Sequence, residues 1–249
     1  MATATQVTVV NKIVLVTGST SGIGEATALR FAARGDSVVF NSVHSVDAGE
    51  RLARATPGSI YVRADVAQPL DCARLIEEVI AAYGRLDVLV NNAGITKLIA
   101  HHDLAAASID VWREIFEVNV FGTWSLCVAA IDALRATCGS IVNVSSVAGV
   151  RPTGSSIPYA ASKAALNHMT ALLAKVVGPE VRVNAVAPGL IDTPWTADWG
   201  VVREFVRATT PLKRSGVPDD VADVIVALAD TPYVTGQVVV VDGGLSLTN

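Results

Sequence analysis

Tyr159 and Lys163 stand four positions apart in the stretch Tyr159-Ala160-Ala161-Ser162-Lys163. On a helix this spacing puts both side chains on one face, a turn apart. A free phenol, with a pKa near ~10, is a poor base at neutral pH, and a neighbouring ammonium favours the phenolate. Together the two side chains could shuttle a proton, although the same pair can also decorate an ordinary helix surface. A second stretch with chemical content is Thr17-Gly18-Ser19-Thr20-Ser21-Gly22-Ile23-Gly24, between an apolar β-branched run and a helical pattern. Glycines there permit a tight bend and let backbone N–H groups approach an anion, which the helix N-terminus also favours. The order is Gly-x3-Gly-x-Gly, not Gly-x-Gly-x2-Gly. It reads as the cradle of a dinucleotide pyrophosphate, the alternative being a purely structural turn.

The elements that must position these residues follow from pattern. Near-continuous apolar runs at 12–17, 37–41, 59–64, 86–91, 139–145, 181–187 and 237–241 predict strands, and helices are expected near 22–34, 46–55, 68–83, 110–136, 158–178 and 218–229. Strand–helix alternation with strands apolar on both faces predicts an α/β fold, a doubly wound Rossmann-type parallel sheet of seven strands in a single domain over 1–249. In such folds ligands bind beyond the carboxyl ends of the strands, where strand order reverses.

Composition narrows the function classes. Of 249 residues, 51% are hydrophobic and 17% charged, so a large core is available. No uninterrupted apolar run reaches the ~18 residues of a membrane span. Residues 1–10, read as a flexible start, lack the pattern of a signal peptide. A net charge of −4 argues against nucleic acid or anionic membrane as partner. Cys72, Cys127 and Cys138 form no CxxC pair and read as buried free thiols of a reducing, cytoplasmic compartment. His101-His102 has no accompanying ligand set, so no metal is expected. The sequon Asn143-Val144-Ser145 falls in a strand expected to be buried.

The ordered set Thr17 to Gly24, Asn91-Asn92-Ala93-Gly94, Asn119 in Val-Asn-Val, Ser146, Tyr159-x3-Lys163, Pro188-Gly189, Val234-Thr235-Gly236-Gln237 and Val241-Asp242-Gly243-Gly244 resembles the short-chain dehydrogenase/reductase family, single-domain branch, from Lys12 to Gly244. The resemblance implies hydride exchange between a nicotinamide cofactor and a carbonyl/secondary-alcohol pair. It makes Tyr159 the general acid/base and gives Lys163 the tasks of lowering the phenol pKa and holding the nicotinamide ribose. Ser146, rather than Ser145, would orient the substrate oxygen, and Asn119 would hold a relay water, or alternatively kink its helix beside Gly122. The cofactor would meet Gly18, Thr20, Ser21, Gly22, Ile23 and Gly24 at the pyrophosphate. It would meet Ser42, His44, Asp65 and Val66 at the adenosine, and Asn92, Ala93 and Gly94 at the ribose. Pro188, Gly189, Ile191 and Thr193 would cradle the nicotinamide. Asp65 is alternatively a helix cap, and Pro188-Gly189 a plain turn.

An NAD-specific site normally carries a carboxylate after the second strand. Ser42 occupies that place, followed by Val43 and His44, and neither Ser21 nor His44 is a lysine or arginine. NADP(H) is therefore favoured over NAD(H). Residues 190–206 fall where the family has a substrate lid. Trp195 and Trp199, with Leu98, Val150 and Ile157, imply an apolar pocket for a small ketone or alcohol. With no arginine or lysine between Pro188 and Val202, a strongly anionic substrate such as an acyl carrier protein is less favoured, though Arg151 and Lys97 are within reach of one. The family commonly forms homotetramers, some members homodimers. Leu126, Ala130, Leu134, Leu166, Met169 and Leu173 offer apolar faces for that, the alternative being that a monomer buries the same residues against its own sheet. Two other functions are open: an NAD-dependent alcohol, sugar or steroid dehydrogenase, and a silent dinucleotide-binding sensor or scaffold.

Overall fold

Strands and helices alternate along the chain as the β-branched runs predict. The computed structural model describes residues 11–248, so the expectation for 1–10 lies outside them. The strands are β1 (Ile13–Val16), β2 (Ser37–Ser42), β3 (Ile60–Arg63), β4 (Val88–Asn91), β5 (Ser140–Val144), β6 (Arg182–Pro188) and β7 (Val238–Val241). The helices are α1 (Gly22–Ala32), α2 (Val46–Ala55), α3 (Pro69–Tyr83), α4 (Ile109–Phe116), α5 (Thr123–Ala136), α6 (Ile157–Val177), α7 (Gly200–Thr209) and α8 (Pro218–Asp230). The sheet is parallel throughout in the order β3-β2-β1-β4-β5-β6-β7, so strand order reverses between β1 and β4.

Alternate residues of each strand serve opposite faces, which explains why the strands are apolar throughout. Ile13 and Leu15 pack with Leu75 and Val79 of α3, Leu126 and Leu134 of α5 and Leu173 of α6. Val14 and Val16 pack on the other face with Phe31 of α1 and Val221 and Ile225 of α8. Each such side chain contributes roughly 1.5–3 kcal/mol by leaving water.

Three expectations are corrected. The helix anticipated over 110–136 is interrupted by a π-helical turn, Glu117–Gly122. At Gly122 a Cβ would stand 2.5 Å from the Val66 carbonyl oxygen, so only glycine lets the helix pass there. Cys138 is exposed, at φ 51° in the turn after α5, whereas Cys72 and Cys127 are buried. Burial pushes the Cys72 thiol up to about 11 and the Cys127 thiol up to about 12, so neither is a nucleophile at neutral pH. Leu126, Ala130, Leu134, Leu166 and Leu173 are buried within the chain itself, and Met169 is partly so. The unpartnered apolar stripe on these helices is instead Phe121, Trp124, Val128, Leu172 and Val176. Residues 109–136 have the length and hydropathy of a membrane span, yet Leu126, Ala130 and Leu134 are spent on the sheet.

A buried polar ladder fixes α6 on the sheet. Asn91 Nδ2 donates to Asn143 Oδ1 (2.9 Å), Asn143 Nδ2 donates to Thr170 Oγ1 (2.9 Å), and that hydroxyl donates to the Leu166 carbonyl (2.9 Å). Asn143 is fully buried, as expected for the sequon. Removing its amide leaves Asn91 Nδ2 only the weak Cys127 Sγ acceptor (3.4 Å) and Thr170 without its donor in a dry interior. Asn143→Leu is expected to cost about 2–4 kcal/mol in denaturant unfolding. A loss below about 1 kcal/mol would show that the ladder does not hold α6.

Candidate active site

The glycine turn is pinned from both sides of the sheet reversal. Gly18 N donates to Asn41 Oδ1 (3.3 Å), and Ser19 Oγ accepts from Asn41 N (2.9 Å). From β4, Asn92 Nδ2 donates to the carbonyls of Thr17 (2.8 Å) and Gly18 (3.0 Å), while Thr17 Oγ1 accepts from the N–H groups of Asn92 and Ala93, both at 3.0 Å. Gly18 adopts φ +60°, and a Cβ at Gly24 would fall 2.4 Å from both Gly18 O and Asn92 Nδ2. The chain therefore needs glycine at both places to aim the N-terminus of α1 into the crevice.

That crevice is a cleft of ≈ 1350 Å³ across the carboxyl ends of the strands. All the residues assigned to a dinucleotide from sequence line it: the turn from Gly18 to Gly24 except Ser19, Ser42 and His44, Asp65 and Val66, Asn92 to Gly94, Tyr159 and Lys163, and Pro188, Gly189, Ile191 and Thr193. Ser19 is buried behind the turn. Asp65 borders the cleft but does not cap α3, whose N-cap is Gln68; its Oδ1 instead accepts from Ala67 N (3.0 Å) within the turn before the helix.

At the other end, Ser156 caps α6 by accepting from Tyr159 N (3.3 Å), and Pro158 preorganises the first turn. One turn on, Lys163 is only 4% exposed. Its Nζ donates to the Val144 carbonyl (2.8 Å) and lies 5.7 Å from the centre of the Tyr159 ring. Both Ser145 and Ser146 border the cleft, but Ser145 is buried and its Oγ is committed to the Lys163 carbonyl (3.2 Å). Ser146 Oγ accepts from Ala148 N (3.2 Å).

Electrostatics here differ from the expectation. Burial pushes the Tyr159 phenol up to about 12, with the Ser146 hydroxyl pulling the other way, and burial lowers Lys163 to about 8. Desolvation outweighs the attraction between phenolate and ammonium, so Lys163 does not depress the phenol in this state. Part of the Tyr159 surface remains on the open cleft, where water moderates the push.

Asn119 does not face the cleft. It is 1% exposed within the π-helical turn, where its Oδ1 accepts from Ile95 N (2.8 Å) and its Nδ2 donates to Ile95 O (3.0 Å) and Ser162 Oγ (3.0 Å). Ser162 in turn donates to the Tyr159 carbonyl (2.7 Å). Ser162 stood inside the Tyr159–Lys163 stretch with no role assigned from sequence. Nothing in the local pattern pointed to Asn41.

The apolar end of the cleft is partly as expected. Leu98, Trp195 and Trp199 line it, and Trp195 meets Tyr159 edge-on at 6.4 Å. Val150 and Ile157 do not; they border a separate shallow depression on α6. Their place is taken by Val202, Phe205 and Val206 of α7 and by Leu245 and Leu247 near the C-terminus. Helix α7 was not anticipated, because its apolar positions follow a Trp199-Gly200 break inside a mixed segment. Arg203 Nε ties it to Asp192 (2.7 Å).

The buried lysine gives a pH test. Its folded-state pKa of about 8 lies below the unfolded value of 10.5, so the unfolded chain binds more protons between them and stability rises with pH there. The stability difference between Lys163→Met and the parent should therefore shift by about 3 kcal/mol in the parent's favour from pH 7.5 to 10.5, read by urea unfolding. A flat difference would mean that Lys163 stays charged and solvated.

Comparison with known proteins agrees with this geometry. A family model described as enoyl-(acyl carrier protein) reductase matches residues 18–246. The chain is 56% identical to a Streptomyces violaceoruber protein assigned as ketoacyl reductase 2 of the granaticin polyketide synthase, over 94% of this chain and 96% of that one. It is 40% identical to the 3-oxoacyl-(acyl-carrier-protein) reductase of Thermotoga maritima, over 94% and 97%. The crystal structure of a chain assigned as a short-chain dehydrogenase/reductase from Burkholderia xenovorans matches with a TM-score of 0.88 and 38% identity, over 95% of this chain and 98% of that one. The chain belongs to the short-chain dehydrogenase/reductase family and is an oxidoreductase acting on the CH–OH/C=O couple.

Proposed function

We propose that the protein reduces the keto group of a ketoacyl substrate with NADP(H), Tyr159 giving the proton. The observation that carries this reading is the meeting of Ser146, Tyr159 and Lys163 at one end of a cleft whose other end is a glycine cradle. A nicotinamide dinucleotide fits the residues present. A Cβ at Gly94 would stand 3.1 Å from Asn119 Oδ1 and 3.5 Å from Lys163 Nζ, so the glycine keeps this wall open beside the ammonium. The turn from Gly18 to Gly24 would hold the pyrophosphate, and Lys163 the nicotinamide ribose. When bound, the cofactor supplies the hydride.

A phenol kept protonated by burial suits an acid: Tyr159 donates its proton to the carbonyl oxygen as hydride reaches carbon. Ser146 bonds the same oxygen and sets its orientation. Lys163, anchored on the Val144 carbonyl, is placed to neutralise the phenolate that results. Asn119 acts from behind the wall, fixing Ile95 and Ser162, and so is a positioning residue in place of the direct ligand of a relay water.

The ketoacyl substrate rests on the two relatives above, both named as reductases of such groups. The lack of basic residues in 188–202 does not oppose it, because a carrier protein would dock outside the cleft. Lys97 is held by Glu114 (3.0 Å), while Arg151 lines the cleft. Trp195 and Trp199 would then flank the acyl chain. A tetramer is supported by the exposed stripe of Phe121, Trp124, Val128, Leu172 and Val176 on α5, α6 and the π-helical turn, together with the valine edge strand β7. Two buried thiols accord with a cytoplasmic location.

Reduction of an acetoacetyl thioester followed at the nicotinamide absorbance should proceed faster with NADPH than with NADH. Tyr159→Phe should lower kcat about 10²–10⁴-fold while cofactor affinity holds within twofold. A Tyr159→Phe enzyme near the parent rate would overturn the mechanism, and a parent inert on every ketoacyl thioester would overturn the substrate. Trp124→Glu should shift the sedimentation coefficient toward a smaller species, because a charge would enter an apolar contact. An unchanged coefficient would assign that stripe no part in assembly.

A further inference from the structure

We propose that Arg63 reads the 2′-phosphate of the adenosine ribose, an inference that rests on the NADP(H) reading and assigns it a residue. Local sequence offers no cation at this end of the cleft, since Ser21, Ser42 and Val43 are uncharged and His44 is an imidazole. The neighbouring strand supplies one. In the parallel register of β2 and β3, Arg63 pairs with Ser42, so both side chains leave the sheet on the same face at its carboxyl end. Arg63 Nε donates to the Val43 carbonyl (3.1 Å), which brings the guanidinium to the loop whose Val43, His44 and Ser45 line the cleft.

Beyond a weak pull on Asp71 at longer range, the charge of this arginine is uncommitted. Among the described residues it forms no ion pair, and its two Nη groups make no hydrogen bond. Its neighbour Arg74, by contrast, is held by Asp71 (3.0 Å) and Glu78 (2.6 Å). Asp71 is satisfied by Arg74 and by the Asp65 backbone N–H (2.8 Å). An exposed guanidinium with its Nε anchored and its remaining N–H groups free is preorganised for a phosphate dianion. The Ser42 hydroxyl is shared with Tyr61 OH (3.0 Å), which limits what it offers such a ligand and leaves Arg63 as the principal discriminating charge.

The test compares the full-length parent, Arg63→Gln and Arg63→Lys for binding of NADPH, NADH, 2′,5′-ADP and 5′-AMP by calorimetry. Arg63→Gln should weaken NADPH and 2′,5′-ADP about 10- to 100-fold, the range of a charge-assisted bond, with NADH and 5′-AMP within about twofold. Arg63→Lys should recover part of the loss, and the 2′,5′-ADP affinity of the parent should fall more steeply with salt than that of Arg63→Gln. Equal weakening of NADPH and NADH would mean that Arg63 only holds the Val43 carbonyl, and no weakening would mean that it plays no part. Either result overturns the proposal. If Arg63→Gln unfolds early on heating, the Arg63→Lys ratio and the parent's salt slope decide: a salt slope equal for 2′,5′-ADP and 5′-AMP overturns it. A parent that prefers NADH would instead refute the NADP(H) reading, while the preference for 2′,5′-ADP over 5′-AMP still measures Arg63.

Discussion

The structure depends on the seam between β1 and β4. Two parallel strands that feed helices in opposite directions leave a crevice at their ends, and that crevice would gape if the two carboxyl-terminal turns moved independently. They do not. Four hydrogen bonds cross the seam: the Asn92 side-chain amide donates to the Thr17 and Gly18 carbonyls, and the Thr17 hydroxyl accepts from the Asn92 and Ala93 N–H groups, while Asn41 joins β2 to the same turn. These groups are half-buried or buried, so each bond competes little with water and losing one strands a partner. The glycine turn is thereby a rigid edge, and it borders the crevice without further ordering.

The far end of the cleft is governed by the opposite economy of charge. Lys163 is held in a nearly dry place, with a single backbone acceptor and, among the described residues, no carboxylate to pair with. A protein seldom tolerates this unless something else gains from it. The gain is in poise: an ammonium that releases its proton more readily and a phenol that holds its proton more tightly sit one turn apart, so any charge placed between the cleft walls would act on both.

Much of this was legible from residue order. Alternate-face burial makes parallel strands uniformly apolar, so their positions appear in a linear reading, as do glycine turns that admit no side chain. Asn143 could be read as interior because its neighbours are strand residues. Other features depend on distance in space. Asn41 and Ser162 act through partners contributed by other elements, and the spacing of their own neighbours carries no trace of that. The exposed stripe on α5 and α6 was misassigned because both faces of those helices are apolar, and only packing shows which face the sheet has taken. The phenol moved opposite to expectation because proximity of unlike charges is visible in a sequence whereas desolvation is not.

The cleft is built from two kinds of wall. Its catalytic side is embedded in the sheet through ladders and seams that leave no group free to shift. Its apolar side, from Trp195 through α7 to Leu247, comes from segments outside the sheet, held by the buried Val206, by the Arg203–Asp192 pair and by bonds such as Leu212 N to the Gly243 carbonyl. Such a division makes the molecule modular: on the proposed reading, the segment facing the substrate can be exchanged or lengthened while the groups proposed for proton transfer keep their places. One scaffold can then supply a lineage of reductases whose chemistry is fixed and whose clientele is not.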